Sequence, residues 1–212
     1  MSEKFPSEQN IENENVLEQK EQNRFTIEPF TFNPQKLEEL EDIAKQLYSI
    51  DQKRFSGDQF FNLELFKSVL INTIPNETNN GKINTVILIK NPKSNSIFGF
   101  IYAEPAENIY TDSEDELLNF FPERLSNPDI ESTAYITDLA FERSGIAGGG
   151  VKRITEALIS ELRKNNYKFI ELDATTNFGL ADSLKRDFSA NIIESNPHDS
   201  EYGPQVFFRF KL

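Results

Sequence analysis

The chain of 212 residues has no cysteine, no tryptophan, one methionine and one histidine. Without cysteine it has no disulfide, no thiolate zinc ligand and no thiol nucleophile. No apolar run approaches the roughly 18 residues that a membrane-spanning helix requires. The opening residues, MSEKFPSEQN, lack the apolar segment of a signal peptide. These absences predict a cytoplasmic protein that does not associate with membranes.

Positive charge is also scarce, because 22 Lys and Arg stand against 35 Asp and Glu and give a net charge of −13. Binding to the phosphate backbone of nucleic acids needs a basic face, so no nucleic-acid partner is expected. A cationic small molecule or a basic protein segment is compatible with this charge, and so is an acidity that only keeps the protein soluble. The 19 phenylalanines predict a sizeable apolar core.

Residues 1–24 differ in composition from the rest of the chain. They are rich in Glu, Gln and Asn, and their apolar residues follow no sustained period. Such a segment cannot offset its ordering entropy by burial, which predicts an acidic disordered tail over 1–24 and one folded domain over 25–212. A helix around Ile11–Glu21 that forms with a partner is the alternative.

Hydrophobic periodicity predicts a mixed α/β domain of the α+β kind, in the order β-α-α-β-β-β-α-β-α-β-β. The predicted strands are FTIEPF, INTVILIK, SIFGFIYAE, TAYITDLAF, YKFIELDA, ANIIES and PQVFFRF. The predicted helices are PQKLEELEDIAKQLYSI, FFNLELFKSVLINTI, the stretch after the glycine cluster, and FGLADSLKRDF, with one further short helix in the irregular acidic region from Asn108 to Ser132.

Four glycines lie within six positions of ERSGIAGGGVKRITEALISEL, residues 142–162, directly before a predicted helix. A P-loop would need Gly-Lys-Ser/Thr, which is absent, and a dinucleotide fingerprint would need glycine where Arg153 stands. Two interpretations remain. The helix N-terminus binds an anion through its amides, assisted by Lys152 and Arg153, or the glycines form a plain strand-to-helix turn.

The run from Ala134 to Phe188 resembles the GNAT superfamily of acyl-CoA-dependent N-acetyltransferases. YITDLAF resembles the central strand of that family, AGGGVK its Q/R-x-x-G-x-G/A turn, and IELDATTN the following strand with its asparagine. The order of elements extends the resemblance over residues 25–212. It implies a mostly antiparallel, twisted sheet of six to seven strands flanked by about four helices.

The resemblance also implies acetyl-CoA as co-substrate, with no metal and no covalent enzyme intermediate. Pantetheine would lie between the central strand and the next one. The implied CoA-binding residues are Leu139, Ala140 and Phe141 for pantetheine, Ala147, Gly148, Gly149, Gly150, Val151 and Lys152 for the pyrophosphate, and Asn177.

The sequence departs from the family pattern at several positions. Ala147 stands in place of the Arg or Gln that opens the turn, and Lys152 replaces a Gly or Ala. Leu184 stands where the family often has the tyrosine that protonates the thiolate, and Asp187-Phe188 replaces Gly-Phe. A tyrosine from elsewhere, such as Tyr202, is one substitute.

Two residues of the central strand are the catalytic candidates. Asp138 is the only acid in YITDLAF, and it is either a base at a cleft or an outward-facing, solvated acid. Tyr135 lies three residues earlier, hence on the opposite face of a regular strand, as a catalytic acid or as core filling. Glu104 is a third candidate. His198 lies in polar SNPHDSE and is expected at the surface.

The sequence therefore predicts an acetyl-CoA-dependent N-acetyltransferase that acts on a primary amine of a small molecule or protein. Its acidic balance leans slightly toward a cationic substrate, and the run YTDSEDE at 110–116 either attracts a cationic amine or is a solvated acidic loop. The alternative is a GNAT-fold protein without transfer activity that binds CoA or a protein partner. Substrate identity and oligomeric state stay open at the level of sequence.

Overall fold

The structure, a computed structural model, describes residues 25–54, 62–75, 82–111, 127–142, 150–176, 180–200 and 203–212. The strands are β1 (Thr26–Phe30), β2 (Thr85–Lys90), β3 (Ile97–Pro105), β4 (Thr133–Phe141), β5 (Phe169–Thr175), β6 (Ile192–Ser200) and β7 (Gly203–Lys211). The α-helices are α1 (Leu37–Arg54), α2 (Leu63–Ile71), α3 (Ala106–Thr111), α4 (Gly150–Lys164) and α5 (Leu180–Phe188). In these described parts, no helix has the length and apolar character to cross a membrane.

The seven strands form one sheet in the order β1-β2-β3-β4-β5-β7-β6. Every neighbouring pair is antiparallel except β4 and β5, which are parallel. The chain connects these two strands through α4, as a parallel pair requires a crossover. The predicted mixed sheet, its strand count and its mostly antiparallel character are confirmed.

Alternating side chains place one apolar core on each face of the sheet. On the first face, α4 and α5 pack against residues such as Ile87, Ala134, Leu172 and Phe208. On the second face, α1 and α2 pack against residues of β2, β3 and β4, among them Phe100. Different helices therefore cover the two faces of the sheet.

Some elements differ in extent from the sequence prediction. Strand β6 continues through the polar SNPHDS, because it pairs with β7 along almost its whole length. The short helix of the acidic region is α3, which begins directly at the end of β3. Leu37 opens α1 but is 62% exposed, so the buried stripe of α1 begins at Leu40. The predicted tail over 1–24 lies outside the described residues.

Candidate functional site

The parallel strands β4 and β5 separate after a short paired region. Only Thr133↔Phe169, Ala134↔Ile170 and Tyr135↔Glu171 are paired, although β4 continues to Phe141 and β5 to Thr175. From Ile136 to Phe141, a segment called the β4 arm below, the side of β4 that faces β5 has no backbone pairing with it. A gap therefore separates the two strands here. This gap is where the GNAT resemblance locates the pantetheine arm.

A β-bulge at Thr137 sets the direction of the side chains on β4. Ala103 of β3 is opposite Ile136, and the preceding residue, Tyr102, is opposite Asp138, so β4 has one extra residue between them. This extra residue reverses the alternation of side chains. Tyr135 and Asp138 consequently lie on the same face of the sheet, the face of α1, and the expectation of opposite faces is wrong.

Asp138 is buried on that face beneath α1, with 5% of its surface exposed. Burial and, to a smaller extent, the nearby charge of Asp51 in α1 together raise the pKa of its carboxyl to about 8, against the opposing effect of the backbone N–H of Leu139. Within the described part of the chain, Asp138 Oδ2 has no hydrogen-bond partner. Asp138 therefore keeps its proton at neutral pH, and the sequence alternative of a solvated, outward-facing acid does not apply.

Polar groups of β3 lie next to Asp138. Thr137 donates its hydroxyl to Glu104 Oε1 at 2.9 Å. Tyr102, opposite Asp138, is 2% exposed, and burial together with the charges of Glu104 and Asp138 raises its pKa well above the usual value. Glu104, the third catalytic candidate from the sequence, therefore lies on the same face of the sheet as Asp138.

Three side chains from three strands meet where β4 and β5 diverge. The Tyr135 hydroxyl donates to Asp173 Oδ2 at 3.0 Å, and His198 Nε2 lies 3.3 Å from Asp173 Oδ1. The side chains of His198 and Asp173 are 8% and 10% exposed. The prediction of a surface histidine is wrong, because the alternation of β6 turns His198 inward although its sequence neighbours are polar.

A buried ion pair lies beside this group. Glu171, 1% exposed, accepts a hydrogen bond from the Tyr110 hydroxyl at 2.6 Å and lies 3.4 Å from Arg209 Nη1. The Arg209 guanidinium is stacked 4.5 Å from the centre of the Phe169 ring. Glu171, Asp173 and Arg209 are not among the candidates predicted from the sequence. The signal was present in IELDA, where acids alternate with apolar residues inside a strand.

The implied CoA-binding residues are described only in part. Leu139 and Phe141 of the β4 arm are half-buried and pack against the core under α4. Gly150 is the first residue of α4, and Lys152 is exposed in its first turn. The Arg153 guanidinium lies 4.6 Å from the centre of the Phe25 ring, so its charge is directed toward β1. Ala147, Gly148, Gly149, Asn177 and Tyr202 lie outside the described residues.

The position where the family often has a tyrosine is part of the apolar core. Leu184 of α5 is 3% exposed and packs in the cluster under α4. This position of α5 therefore carries no group that can donate or accept a proton. Within the described ranges, no group of three or more His, Asp or Glu is arranged to hold a metal ion.

Comparison with known proteins identifies the fold. No family model matches the sequence, and no curated protein is similar to it. Solved structures do match. The NatC complex bound to Gag peptide and CoA aligns with a TM-score of 0.54 and 15% identity, over 89% of this chain and 99% of that one. Ribosomal-protein-alanine N-acetyltransferase from Brucella melitensis aligns with a TM-score of 0.55 and 11% identity, over 88% and 99%.

Ard1 from Thermoplasma volcanium also aligns, with a TM-score of 0.53 and 13% identity over 89% of this chain and 98% of that one. The crystal structure of an acetyltransferase of the GNAT family from Desulfovibrio desulfuricans aligns with a TM-score of 0.51 and 9% identity. This alignment covers 88% of this chain and 98% of that one. The alignments span nearly the whole described domain. The chain has the GNAT fold, as the resemblance at residues 134–188 implies.

Proposed function

We propose that the protein transfers an acetyl group from acetyl-CoA directly to a primary amine. The observation that carries this proposal is the separation of β4 and β5 after Tyr135↔Glu171, with α4 beginning just beyond the β4 arm. A linear pantetheine chain fits such a gap, because the backbone groups of Ile136–Phe141 that face β5 have no ladder to it and supply hydrogen-bonding groups along the gap. The solved structure with CoA among those that share the fold supports the same donor.

The pyrophosphate of CoA binds at the start of α4. Backbone N–H groups at a helix N-terminus point outward and carry the positive end of the helix dipole. Gly150 leaves room for a close approach of the backbone, and Lys152 is exposed beside it. Because Arg153 is stacked on Phe25, Lys152 is the cation of this turn that can contribute, from an exposed position 3.9 Å from Glu156.

Asp138 acts as the proton donor for the departing thiolate. Its pKa of about 8 means that the carboxyl is largely protonated at pH 7, so it is better suited to donate a proton than to accept one. It is the first residue of β4 after the bulge and therefore lies on the arm that faces the gap. This role supplies the function that the family tyrosine has at the position of Leu184.

The alternative is a protein that binds CoA or a protein partner without acetyl transfer. The observation that favours it is the burial of Leu184 in the core under α4, which leaves no tyrosine at that position of α5. A CoA-binding protein without transfer activity would share the CoA site and differ only in turnover, whereas a protein that binds only a partner would lack that site.

Calorimetric titration of acetyl-CoA into the full chain tests the donor site. We expect saturable binding by the wild type, loss of binding in Gly150→Val, and unchanged binding in Ser160→Val, which carries the same side chain at an exposed position of α4. Wild-type protein that does not bind acetyl-CoA would contradict the proposal. Full affinity in folded Gly150→Val would contradict the pyrophosphate assignment.

Thiol release with a panel of amines tests the transfer. The panel contains butylamine, spermidine, a lysine peptide with a blocked N-terminus and a peptide with a free N-terminus. We expect amine-dependent release of CoA with at least one of them. Binding of acetyl-CoA without release by any amine would favour the alternative function.

A further inference from the structure

We propose that the hydrogen-bonded side chains of Tyr135 and Asp173, called the acyl wall below, limit the donor of the transfer to short acyl groups. The two residues would then determine the acyl-chain specificity of the protein. This inference rests on the proposed function, because it requires an acyl-CoA in the gap between β4 and β5. It is carried by the position of the hydrogen bond, which crosses from β4 to β5 directly beyond their last backbone pair, Tyr135↔Glu171.

The gap between β4 and β5 has one closed end. It lies at the pair Tyr135↔Glu171, and the β4 arm runs from there to Phe141. An arm of this length extends about 20 Å, which is comparable to an extended pantetheine arm. Since α4 begins beyond Phe141, a donor with its pyrophosphate at the start of α4 has its thioester and acyl group at the closed end.

The acyl wall lies on the second face of the closed end. Tyr135 and Asp173 both point to this face, because their strand neighbours Ala134, Leu172 and Ala174 pack in the core under α4. The Tyr135 hydroxyl donates to Asp173 Oδ2 at 3.0 Å. Tyr135 is 7% exposed and the side chain of Asp173 is 10% exposed. The two side chains therefore bridge the strands and cover the beginning of the gap.

Contacts behind the acyl wall hold it in place. The Tyr135 ring packs edge-on against Tyr110, with 6.2 Å between the ring centres. Tyr110 is 1% exposed and donates its hydroxyl to Glu171 Oε2 at 2.6 Å. On the other side, His198 Nε2 lies 3.3 Å from Asp173 Oδ1. Because closely packed side chains yield little to added methylene groups, the acyl wall should not move aside for a longer chain.

The other sides of the closed end are occupied as well. On the first face, Ala134, Ile136, Leu172 and Ala174 are buried in the core under α4. The paired parts of β4 and β5 close the end itself. An acyl group at this position is therefore enclosed by the core, the paired strands and the acyl wall. Each methylene group beyond acetyl would have to displace packed side chains.

The chemistry is the same for every donor. The amine nitrogen forms a bond to the acyl carbon, and the bond between that carbon and sulfur breaks. Of the two protons that an ammonium group loses in forming the amide, one ends on the sulfur of CoA and the other goes to solvent. The acyl wall takes no part in these steps, so it selects the donor without changing the reaction.

Steady-state kinetics with acetyl-, propionyl-, butyryl- and hexanoyl-CoA and the fastest amine of the panel test the acyl wall. For the wild type, we expect kcat/KM to fall at least about 10-fold from acetyl-CoA to butyryl-CoA. Tyr135→Ala removes the ring and the hydrogen bond, so the ratio of kcat/KM for butyryl-CoA to that for acetyl-CoA should rise at least about 10-fold. Asp173→Ala opens the wall from β5 and should raise this ratio too. Tyr135→Phe keeps the ring and should raise it less than Tyr135→Ala.

The matched control is Tyr48→Ala, which makes the same change at a half-buried position of α1. It should keep the wild-type ratio. Circular dichroism shows whether each variant is folded, and CoA without an acyl group should bind to all of them alike, because the acyl wall contacts only the acyl group. Asp173→Ala keeps the test decisive if Tyr135→Ala does not fold.

Calorimetric titration provides a readout that does not depend on turnover. We expect the wild type to bind acetyl-CoA at least about 10-fold more tightly than hexanoyl-CoA, and Tyr135→Ala to bind both with similar affinity. Equal affinity of the wild type for the two donors would overturn the acyl wall. An unchanged preference in folded Tyr135→Ala and Asp173→Ala would overturn its assignment to these residues.

These outcomes are distinct from a failure of the proposed function. A wild type that binds acetyl-CoA but acetylates no amine would contradict the transfer, while its binding preference would still support or overturn the acyl wall. A wild type that binds no acyl-CoA would overturn the donor site and this inference together.

Discussion

The Tyr135 hydroxyl on β4 donates to the Asp173 carboxylate on β5 at 3.0 Å, across two strands whose backbone pairing has ended. Tyr135 is the last residue of β4 that pairs with β5, and Asp173 lies two residues beyond its partner Glu171. A side-chain hydrogen bond therefore connects the two strands beyond the point where their backbone pairing ends.

The buried Asp138 makes stability depend on pH. In the unfolded chain its carboxyl loses its proton near the usual pKa of 3.8, whereas the folded protein retains it up to about 8. The unfolded state then binds fewer protons in this window, so the free energy of unfolding falls as pH rises from about 4 to about 8. Asp138→Asn cannot ionise and should gain stability relative to wild type over the window, by at most about 6 kcal/mol.

Urea unfolding at several pH values between 5 and 8 measures this difference. Asp42→Asn, at an exposed position of α1, is the matched control and should follow the pH dependence of the wild type. A constant difference between Asp138→Asn and wild type over the whole range would contradict the buried, protonated state of Asp138.

The Glu171–Arg209 pair should be costly to break from one side. Glu171 is 1% exposed, and Arg209→Met would leave its carboxylate buried with the Tyr110 hydroxyl but without a cation. We expect a loss of about 3–5 kcal/mol in the free energy of unfolding, and recovery of part of it when Glu171→Gln is added. Chemical denaturation of the single and double variants measures both effects.

The control for this pair is Lys164→Met at the end of α4. Its ion pair with Glu161 is exposed, so the change should cost less than about 1 kcal/mol. If Arg209→Met cost no more than this control, the interaction of Arg209 with Glu171 would contribute little to stability.

Gly99 of β3 should tolerate no side chain, because a Cβ there would lie 2.5 Å from Phe141 Cδ1 and 2.9 Å from the Ala140 carbonyl oxygen. Gly99→Ala would force the ends of β3 and β4 to move, at a cost of about 1–3 kcal/mol. Thermal or urea unfolding measures it. Adding Phe141→Ala removes the ring contact but not the backbone contact, so the penalty for Gly99→Ala should be smaller in that background. An equal penalty in both backgrounds would show that the Phe141 ring does not limit this position.

The sequence allowed much of the fold to be predicted, because its periods are strong and local. The apolar stripe of Ile154, Leu158 and Leu162 specifies α4, and the short turn NPKSNS specifies the hairpin of β2 and β3. The run from Ala134 to Phe188 also indicated the GNAT fold. Asp138 was identified because an acid inside an apolar strand is unusual.

The positions of the other polar groups could not be predicted in the same way. Asp173, His198 and Tyr135 are 25 or more residues apart along the chain and meet only because β4, β5, β7 and β6 lie in this order in the sheet. No local pattern indicates that order. The burial of His198 also depends on strand pairing, which extends β6 through a segment that has the composition of a loop.

The sequence by itself determined the order of helices and strands, the two apolar faces and the acid in the central strand, since these follow from local spacing of side chains. The tertiary structure decided which faces the site residues share. One extra residue at Thr137 reverses the alternation of β4 and brings Tyr135 and Asp138 to the same side of the sheet. That reversal arises from register with β3, a long-range pairing that the spacing of residues within β4 does not contain.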